Sequence, residues 1–227
     1  MRIALLNLNL DPQEQGGCLR IEAALRGLLA ETGEMQPQLA LLAAADVRRS
    51  PALLQGADAL VLGPQGTPFS AYDAEFLPWL RALVDAPRPV LGVCGGMQAL
   101  ALAHGGALAA TFGGVIGAEY EGHRKVRGPL PIALDAGALP SWLGAHARSL
   151  LTSWQVQGGQ AFQSHVEQVA VLPDDFVVVA SSAPTPVEAF AHRVRPILAS
   201  QFHPELGWDE GCAAGRLWLR AWLASWR

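Results

Sequence analysis

Charged residues are scarce in this sequence. Only 16% of the 227 residues are Asp, Glu, Lys or Arg, and the formal net charge is -4 at pH 7. No cluster of Lys and Arg suggests binding to nucleic acid or to an anionic membrane surface, so we expect neither kind of partner. The hydrophobic share of 51% indicates a compact globular chain that is long enough to bury a sizeable core.

Cysteine is also scarce. The three cysteines, Cys18, Cys94 and Cys212, form neither a disulfide framework nor a Cys-x-x-Cys metal pair. The apolar run at the start of the sequence is too short for a signal peptide, and no uncharged apolar segment reaches the roughly 18 residues of a membrane span. We therefore expect a cytoplasmic protein with reduced thiols.

Short apolar strands alternate with helical patterns in the first part of the chain. Strands are predicted at 2–8, 38–44, 58–62 and in the apolar run that ends at Cys94, with helices at 18–30, 51–55 and 72–84. This rhythm favours parallel strands joined by right-handed crossovers, which is the pattern of a doubly wound, flavodoxin-like α/β sheet with helices on both faces. Because no linker, repeat or low-complexity tract interrupts the pattern, we expect one domain over 1–227.

The second part of the chain predicts shorter strands and a small antiparallel extension of the sheet. These strands are expected at 107–112, 130–134, 151–155, 169–172, 176–181, 187–192 and 196–202. The turn residues Pro173, Asp174 and Asp175 indicate a hairpin between two of them. The polar segment 117–131 is expected to be exposed.

A final helix is predicted at 212–226. It would place Trp218, Trp222 and Trp226 on one face, since they are spaced by four. Packing of this face on the sheet is the favoured interpretation, and a surface for a partner or a second copy is the alternative.

One stretch, from Gly92 to Gln98, has the pattern of a nucleophile elbow. An apolar run stops at Cys94, glycines flank the cysteine, and an Ala/Leu-rich helical pattern follows at once. The start of a helix favours a negative charge and thus a thiolate. For a lone cysteine, a buried structural role at a glycine-rich turn would be the favoured interpretation, and only the other motifs of the chain favour a nucleophile.

A second informative stretch, residues 201–205, lies at the end of the last predicted strand. His203 and Glu205 suit a base and the carboxylate that orients it. Both stretches would lie at the carboxyl ends of strands, where the sites of α/β sheets gather. A His-x-Glu pair also describes a surface pair or half of a zinc site, but no further ligands at metal spacing accompany it, so we expect no metal.

These motifs together resemble those of the class I (triad) glutamine amidotransferases. Gly92–Gln98 matches the signature G-[IV]-C-x-G-x-Q, and residues 201–205 are the Q-F-H-P-E box of that family. Between them, residues 162–169 resemble the S-H-x-x-x-V segment. The resemblance covers nearly the whole chain in the family's order.

The resemblance implies a glutaminase reaction. Cys94 would attack the side-chain amide carbonyl of L-glutamine, His203 would take the thiol proton and deliver it to the leaving ammonia, and Glu205 would orient His203. A γ-glutamyl thioester would form and be hydrolysed, so that glutamate and ammonia are the products. The resemblance implies neither a cofactor nor a metal.

The resemblance also implies an oxyanion hole and a substrate clamp. The backbone N–H of Gly95 would be one oxyanion donor, and the loop at 63–68 would supply another. Two registers of that loop compete, one with the donor at Gly63 and one with it at Gly66 or Thr67, and a misplaced donor would leave activity low until a partner reshapes the loop. The clamp implied for the glutamine consists of Gln98 and of backbone groups around Ser164, Val166 and Glu167.

Only about 20 residues follow the Q-F-H-P-E box, which is too few for a synthetase domain. A separate synthetase or acceptor subunit is therefore expected to use the ammonia. Two alternatives remain at this point. One is a hydrolase of other γ-glutamyl compounds, and the other is a non-catalytic binding or regulatory module on the same scaffold.

Overall fold

The computed structural model of the protein describes residues 1–33, 37–114, 120, 122–154 and 158–226. The helices are α1 (Gly16–Glu31), α2 (Ala44–Arg49), α3 (Phe76–Val84), α4 (Gly95–Ala103), α5 (Gly144–Thr152) and α6 (Ala213–Ala224). The strands are β1 (Arg2–Asn7), β2 (Gln38–Ala43), β3 (Ala59–Leu62), β4 (Val90–Val93), β5 (Ala107–Ala110), β6 (Val126–Pro131), β7 (Ala133–Leu134), β8 (Gln160–His165), β9 (Glu167–Val171), β10 (Phe176–Ser181), β11 (Ala189–His192) and β12 (Ile197–Ser200). Single 3-10 turns lie at Pro51–Leu54, Phe69–Ala71, Ser141–Leu143 and Trp208–Glu210.

One eight-stranded sheet has the order β2-β1-β3-β4-β12-β11-β10-β7. The first five strands in this order are parallel, and the last three are antiparallel to their neighbours. The five parallel strands have the doubly wound order of flavodoxin-like folds. The prediction of a mostly parallel α/β sheet with an antiparallel extension is therefore confirmed. Two further antiparallel pairs, β5–β9 and β6–β8, lie outside this sheet.

Helices cover both faces of the parallel strands. Successive side chains of a strand point to opposite faces, so Ile3 and Leu5 of β1 join the core formed with α1, α5 and α6, while Ala4 and Leu6 join the core formed with α2, α3 and α4. Strands that are buried on both faces are expected to be continuously apolar. This explains the uninterrupted runs that identified them in the sequence.

The terminal helix α6 packs into the first of these cores. Trp218 and Trp222 are both 0% exposed, and the ring of Trp218 lies 5.5 Å from that of Phe202 and 6.2 Å from that of Trp154 between centroids. The core interpretation of the tryptophan face is therefore confirmed for these two residues. Half-buried Trp226 packs against Trp222, with 5.5 Å between the two ring centroids.

Two predictions about the second part of the chain are wrong. The strand expected at 151–155 is instead the end of α5, in which Ala147 and Leu151 are buried one turn apart; residue 155 lies outside the described residues. The expected hairpin around Pro173 is also absent, because β9 pairs with β5 and β10 pairs with β11 and β7. A good turn sequence reverses the chain but does not choose the pairing partner.

Three elements were not predicted. The short helix α2 follows β2 directly, α5 begins before the segment where a strand had been expected, and β8 lies in the segment where only a family motif had been recognised. The polar segment 117–131 is partly outside the described residues, but 126–131 forms β6 and pairs with β8. Arg124, Lys125 and Arg127 are exposed, as expected.

Candidate active site

Cys94 occupies the sharp turn between β4 and α4. Its φ of 51° and ψ of -110° make it the only non-glycine residue with a positive φ in the described part of the chain. Such a conformation costs free energy and persists where its surroundings enforce it. One such restraint is the hydrogen bond of 2.7 Å from the Cys94 N–H to the Ser200 carbonyl at the end of β12. The predicted elbow geometry is confirmed.

The positions around Cys94 require glycine, because a side chain at any of them would collide with neighbouring atoms. A Cβ on Gly92 would lie 2.6 Å from Leu100 Cδ1, and one on Gly96 would lie 2.1 Å from the Leu62 carbonyl oxygen. A Cβ on Gly95 would lie 2.4 Å from Gln65 Cγ. The flanking glycines were expected for this steric reason.

His203 and Glu205 follow β12, the strand next to β4. The His203 N–H donates to the Phe162 carbonyl of β8 at 2.8 Å, which fixes the backbone there. His203 Nδ1 lies 2.9 Å from Glu205 Oε1, and the Glu205 side chain is fully buried. The Glu205 contact uses Nδ1 and leaves Nε2 as the ring nitrogen available to the Cys94 sulfur.

The charged surroundings of His203 favour its protonated form. Burial disfavours the imidazolium, but the Glu205 carboxylate and the hydrogen-bonded Cys94 sulfur outweigh burial and raise the pKa of His203 to about 10. The three side chains that the sequence motifs singled out thus form one connected group.

The structure corrects the expected position of the second oxyanion donor. The Gly63 N–H donates to the Leu6 carbonyl at 3.0 Å, so it belongs to the sheet and is not directed at Cys94. The Gly66 N–H donates to Asn9 Oδ1 at 2.8 Å. Both glycines named from the sequence are therefore committed elsewhere, although Gly66 does line the cavity beside Cys94.

Gln65 is the loop residue nearest the elbow. Its backbone nitrogen lies 2.9 Å from the position that a Cβ on Gly95 would occupy, and Gln65 lines both cavities that reach Cys94. Among the hydrogen bonds within the described residues, its N–H has no acceptor. No sequence pattern pointed to Gln65, because a glycine was expected at the donor position.

A cavity of about 190 Å³ lies against Cys94 and is lined by every residue expected in the substrate clamp. Those residues are Gln98, Ser164, Val166 and Glu167. The lining also includes Tyr120, His123 and Lys125, which sequence reasoning missed because they lie in a segment that has the pattern of a solvated surface. Their proximity to Cys94 depends on the long connection between β5 and β6, which no local pattern reveals.

The backbone clamp is partly occupied by the protein itself. The Val166 carbonyl accepts the Thr111 N–H at 2.9 Å, and the Glu167 carbonyl accepts Gln98 Nε2 at 2.9 Å. The Ser164 carbonyl faces Cys94 Sγ at 4.0 Å. Of these backbone groups, only that of Ser164 contacts the sulfur.

The side chain of Glu167 offers a charged group that the sequence did not single out. Tyr120 donates its hydroxyl hydrogen to Glu167 Oε2 at 2.9 Å. Burial raises the pKa of Glu167, while this hydrogen bond and the charge of His123 oppose the rise. The carboxylate would therefore gain from a cationic ligand in the cavity.

Gln98 and Gln201 form an amide pair beneath the sulfur. Gln98 Nε2 donates to Gln201 Oε1 at 3.1 Å, and Gln201 Nε2 donates to Cys94 Sγ at 3.6 Å. Gln98 lines the cavity, as expected of a residue that contacts substrate, but its amide nitrogen is used within the protein. Gln201 had been recognised only as part of the box, without a role.

His165 makes a local hydrogen bond beside the cavity. Its Nδ1 lies 3.0 Å from the Glu167 carbonyl, and burial lowers its pKa to about 4. The described residues bring no three His, Cys, Asp or Glu side chains together in a way that would hold a metal ion. Within the same residues, no helix is both long and apolar enough to cross a membrane.

The doubly wound sheet thus carries a cysteine elbow at the end of one strand and a His–Glu pair after the neighbouring strand. Residues 42–211 match the model of the family "glutamine amidotransferase class-I". This match covers most of the chain, so the protein belongs to that family.

Two curated relatives are similar in sequence. A glutamine-hydrolysing GMP synthase subunit of Thermoplasma acidophilum is 32% identical over 155 residues, which are 67% of this chain and 66% of that protein. The glutamine-hydrolysing GMP synthase of Wolinella succinogenes is 31% identical over 156 residues, which are 68% of this chain and 26% of that protein. The matched region is thus only a part of either relative.

Solved structures share the fold. A GMP synthase subunit from Thermoplasma acidophilum superposes with a TM-score of 0.66 at 24% identity, over 100% of this chain and 94% of that one. A glutamine amidotransferase from Thermotoga maritima superposes with a TM-score of 0.62 at 15% identity, over 100% and 96% of the two chains.

Proposed function

We propose that this protein hydrolyses the side-chain amide of L-glutamine through a covalent intermediate on Cys94. The observation that carries the proposal is the buried group in which His203 lies 2.9 Å from Glu205 and holds its proton beside a strained, cavity-lining Cys94. Family membership supports the same chemistry. A scaffold used only for binding would have no need of this charged arrangement.

The first half-reaction is the attack of the Cys94 thiolate on the amide carbon. A carbon–sulfur bond forms and the carbonyl π electrons move onto oxygen. When the tetrahedral intermediate collapses, the carbon–nitrogen bond breaks and His203 delivers its proton to the departing nitrogen, which leaves as ammonia. Glu205 keeps the imidazole ring oriented throughout.

Two backbone donors would stabilise the negative oxygen. Gly95 would supply the N–H directly after the nucleophile, and Gln65, whose unengaged backbone nitrogen lies 2.9 Å from the position of a Cβ on Gly95, would supply the other. Gln65 replaces Gly63 and Gly66, whose N–H groups are committed elsewhere. A donor of this kind is typically worth about 3 kcal/mol in the transition state.

Charged side chains would hold the amino-acid end of the substrate. The α-ammonium would meet the Glu167 carboxylate, of which Tyr120 occupies one oxygen. The α-carboxylate would meet Lys125, which lines the same cavity. Because the cavity offers one group of each sign, a zwitterionic head group is oriented with its side chain towards Cys94.

The second half-reaction returns the enzyme to its starting state. Water attacks the γ-glutamyl thioester while neutral His203 takes a proton from it. The carbon–sulfur bond then breaks, and glutamate leaves the Cys94 thiolate beside protonated His203. The ammonia would pass to a separate acceptor enzyme. The names of the curated relatives make a GMP synthase acceptor the first candidate to test.

A second cavity supports another candidate function. It measures about 310 Å³, reaches Cys94 and His203, and extends along Asn9, Glu14 and Arg20. This space adjoins the sulfur on the His203 side, so a γ-glutamyl compound with a leaving group larger than ammonia would also fit. A panel of γ-glutamyl amides compared with glutamine by kcat/KM decides between the two substrates.

The proposal is tested by assaying the purified protein with glutamine. We expect ammonia and glutamate in equal amounts, and we expect Cys94→Ala to abolish both, because the carbon–sulfur bond of the intermediate cannot form without the thiol. Cys212→Ala, which removes a buried thiol at the start of α6, is the matched control and should retain activity. Unchanged ammonia release by Cys94→Ala would contradict the assignment.

A further inference from the structure

The loop at 63–68 is fastened to the β1–α1 connection by one buried amide side chain. Asn9 Oδ1 accepts the Gly66 N–H at 2.8 Å. Asn9 Nδ2 donates to the Asn7 side-chain oxygen at 2.9 Å and to the Glu14 carbonyl at 2.5 Å. Both hydrogens and the oxygen of this amide are therefore in use.

The support behind Asn9 is itself fixed. Asn9 is 8% exposed and Asn7 is 2% exposed. Asn7 Nδ2 donates to the Pro12 carbonyl at 3.3 Å, and Asn7 Oδ1 also accepts the Asn9 N–H at 3.2 Å. Buried amides bonded on every side are costly to reorient, so the acceptor offered to Gly66 is held in a single place.

Two further hydrogen bonds join the same parts of the chain. The Leu10 N–H donates to Thr67 Oγ1 at 3.2 Å. The Tyr72 hydroxyl donates to the Leu8 carbonyl at 2.8 Å and lies 3.4 Å from Gln65 Oε1. The loop is thus attached to the β1–α1 connection at Gly66 and Thr67, with Tyr72 beside Gln65.

These hydrogen bonds restrain the backbone on both sides of Gln65. On one side, the Pro64 ring fixes its own φ and the Gly63 N–H is bonded to β1. On the other side, the bond from Gly66 to Asn9 restrains the planar peptide that follows Gln65. The short segment that carries the Gln65 N–H is therefore held at both ends before any substrate arrives.

We propose that Asn9 is a positioning residue that pre-organises the oxyanion loop, so that this chain hydrolyses glutamine without a partner protein. The inference rests on the proposed function. It follows from the general rule that a donor held in place before the reaction costs no reorganisation in the transition state.

The test compares variants of the whole chain in steady-state glutamine hydrolysis without any partner. For Asn9→Ala we expect kcat to fall about tenfold to hundredfold while KM changes less than about twofold, because an oxyanion donor acts mainly in the transition state. Gln13→Ala alters an exposed side chain of the same connection and should leave both constants unchanged.

The outcomes separate this inference from the proposed function. Wild-type kcat in Asn9→Ala, or a wild-type chain that releases no ammonia although a glutamine-like electrophile labels Cys94, overturns the positioning role and leaves the cysteine chemistry standing. Glutaminase activity that survives in Cys94→Ala refutes the function instead. Should circular dichroism show Asn9→Ala to be unfolded, Tyr72→Phe decides, since it removes only the hydroxyl and should lower kcat several-fold; an unchanged kcat there overturns the inference.

Discussion

At the scale of single residues, His203 shows how burial and charge compete. Its ring is almost fully buried, which by itself favours the neutral form, yet a carboxylate 2.9 Å away and the Cys94 sulfur hold the proton in place. Neither Cys18 nor Cys212 has a histidine among the groups that shift its pKa. Burial raises the pKa of Cys18 to about 12 and also raises that of Cys212, so both remain thiols.

The raised pKa of His203 predicts how activity and stability change with pH. We expect kcat/KM to fall as the pH rises through about 10, where His203 loses its proton. The pKa of His203 in the folded protein lies above its unfolded value of about 6.5. The stabilisation of the folded state by protonated His203 is therefore complete below pH 6.5 and is lost as the pH approaches 10. The difference in unfolding free energy between wild type and His203→Gln, measured in urea, should therefore shrink between pH 7 and 10. A difference that stays constant over this range would contradict it.

The residues with chemical roles were predictable to different degrees. Cys94, His203 and Glu205 lie in short continuous motifs, so the sequence alone was enough to single them out. Gln65 was missed because a backbone N–H leaves no trace in a side-chain pattern. Tyr120 and Lys125 were missed because the cavity they line depends on how a long connection folds back.

At the scale of elements, the elbow depends on the close approach of α4 to β3. Gly96 lies against the Leu62 carbonyl, where a Cβ would be only 2.1 Å from the oxygen. The oxygen belongs to the backbone of a central strand and has no freedom to move aside. A methyl group there would separate the helix from the sheet and disturb Cys94, two residues before it.

Gly96→Ala is therefore expected to lower the free energy of unfolding by about 1–3 kcal/mol through overpacking. Gly27→Ala is the matched control, since Gly27 is an exposed residue of α1 with nothing within 4 Å of an added Cβ. That change should stabilise the protein by about 0.5–1 kcal/mol through helix propensity. Denaturant unfolding of both variants checks the pair, and equal destabilisation of the two would refute the steric argument.

Elements were predictable where one periodicity dominated. The strands β1, β3 and β12 are buried on both faces and were recognised as apolar runs. The end of α5 and the turn after it were mistaken for a strand because Leu151 and Trp154 fit either period over a few positions. Strand pairing in the antiparallel part was not predictable, since β9 pairs with β5 and not with β10, the next strand in the sequence.

At the scale of the whole molecule, an aromatic cluster joins the segment that carries His203 to the terminal helix. Phe202, the residue before His203, has its ring 5.4 Å from that of Trp154 and 5.5 Å from that of Trp218. All three rings are fully buried. The backbone that carries His203 is thus packed against α6 and the segment after α5.

Trp218→Ala should lower the free energy of unfolding by about 3–5 kcal/mol, since it empties a large buried site. Val194→Ala changes a side chain that is 77% exposed and should stay within about 0.5 kcal/mol of wild type. Thermal or urea unfolding measures both. A similar stability of the two variants would show that the cluster does not support the fold.

The strand order also has a consequence for synthesis of the protein. β12 pairs with β4, although more than a hundred positions separate Cys94 from His203 in the chain. A growing polypeptide therefore carries Cys94 long before the ribosome has made His203. Until β12 takes its place beside β4, Cys94 lacks the Ser200 carbonyl that accepts its N–H, so the elbow is complete only after most of the surrounding core has been translated.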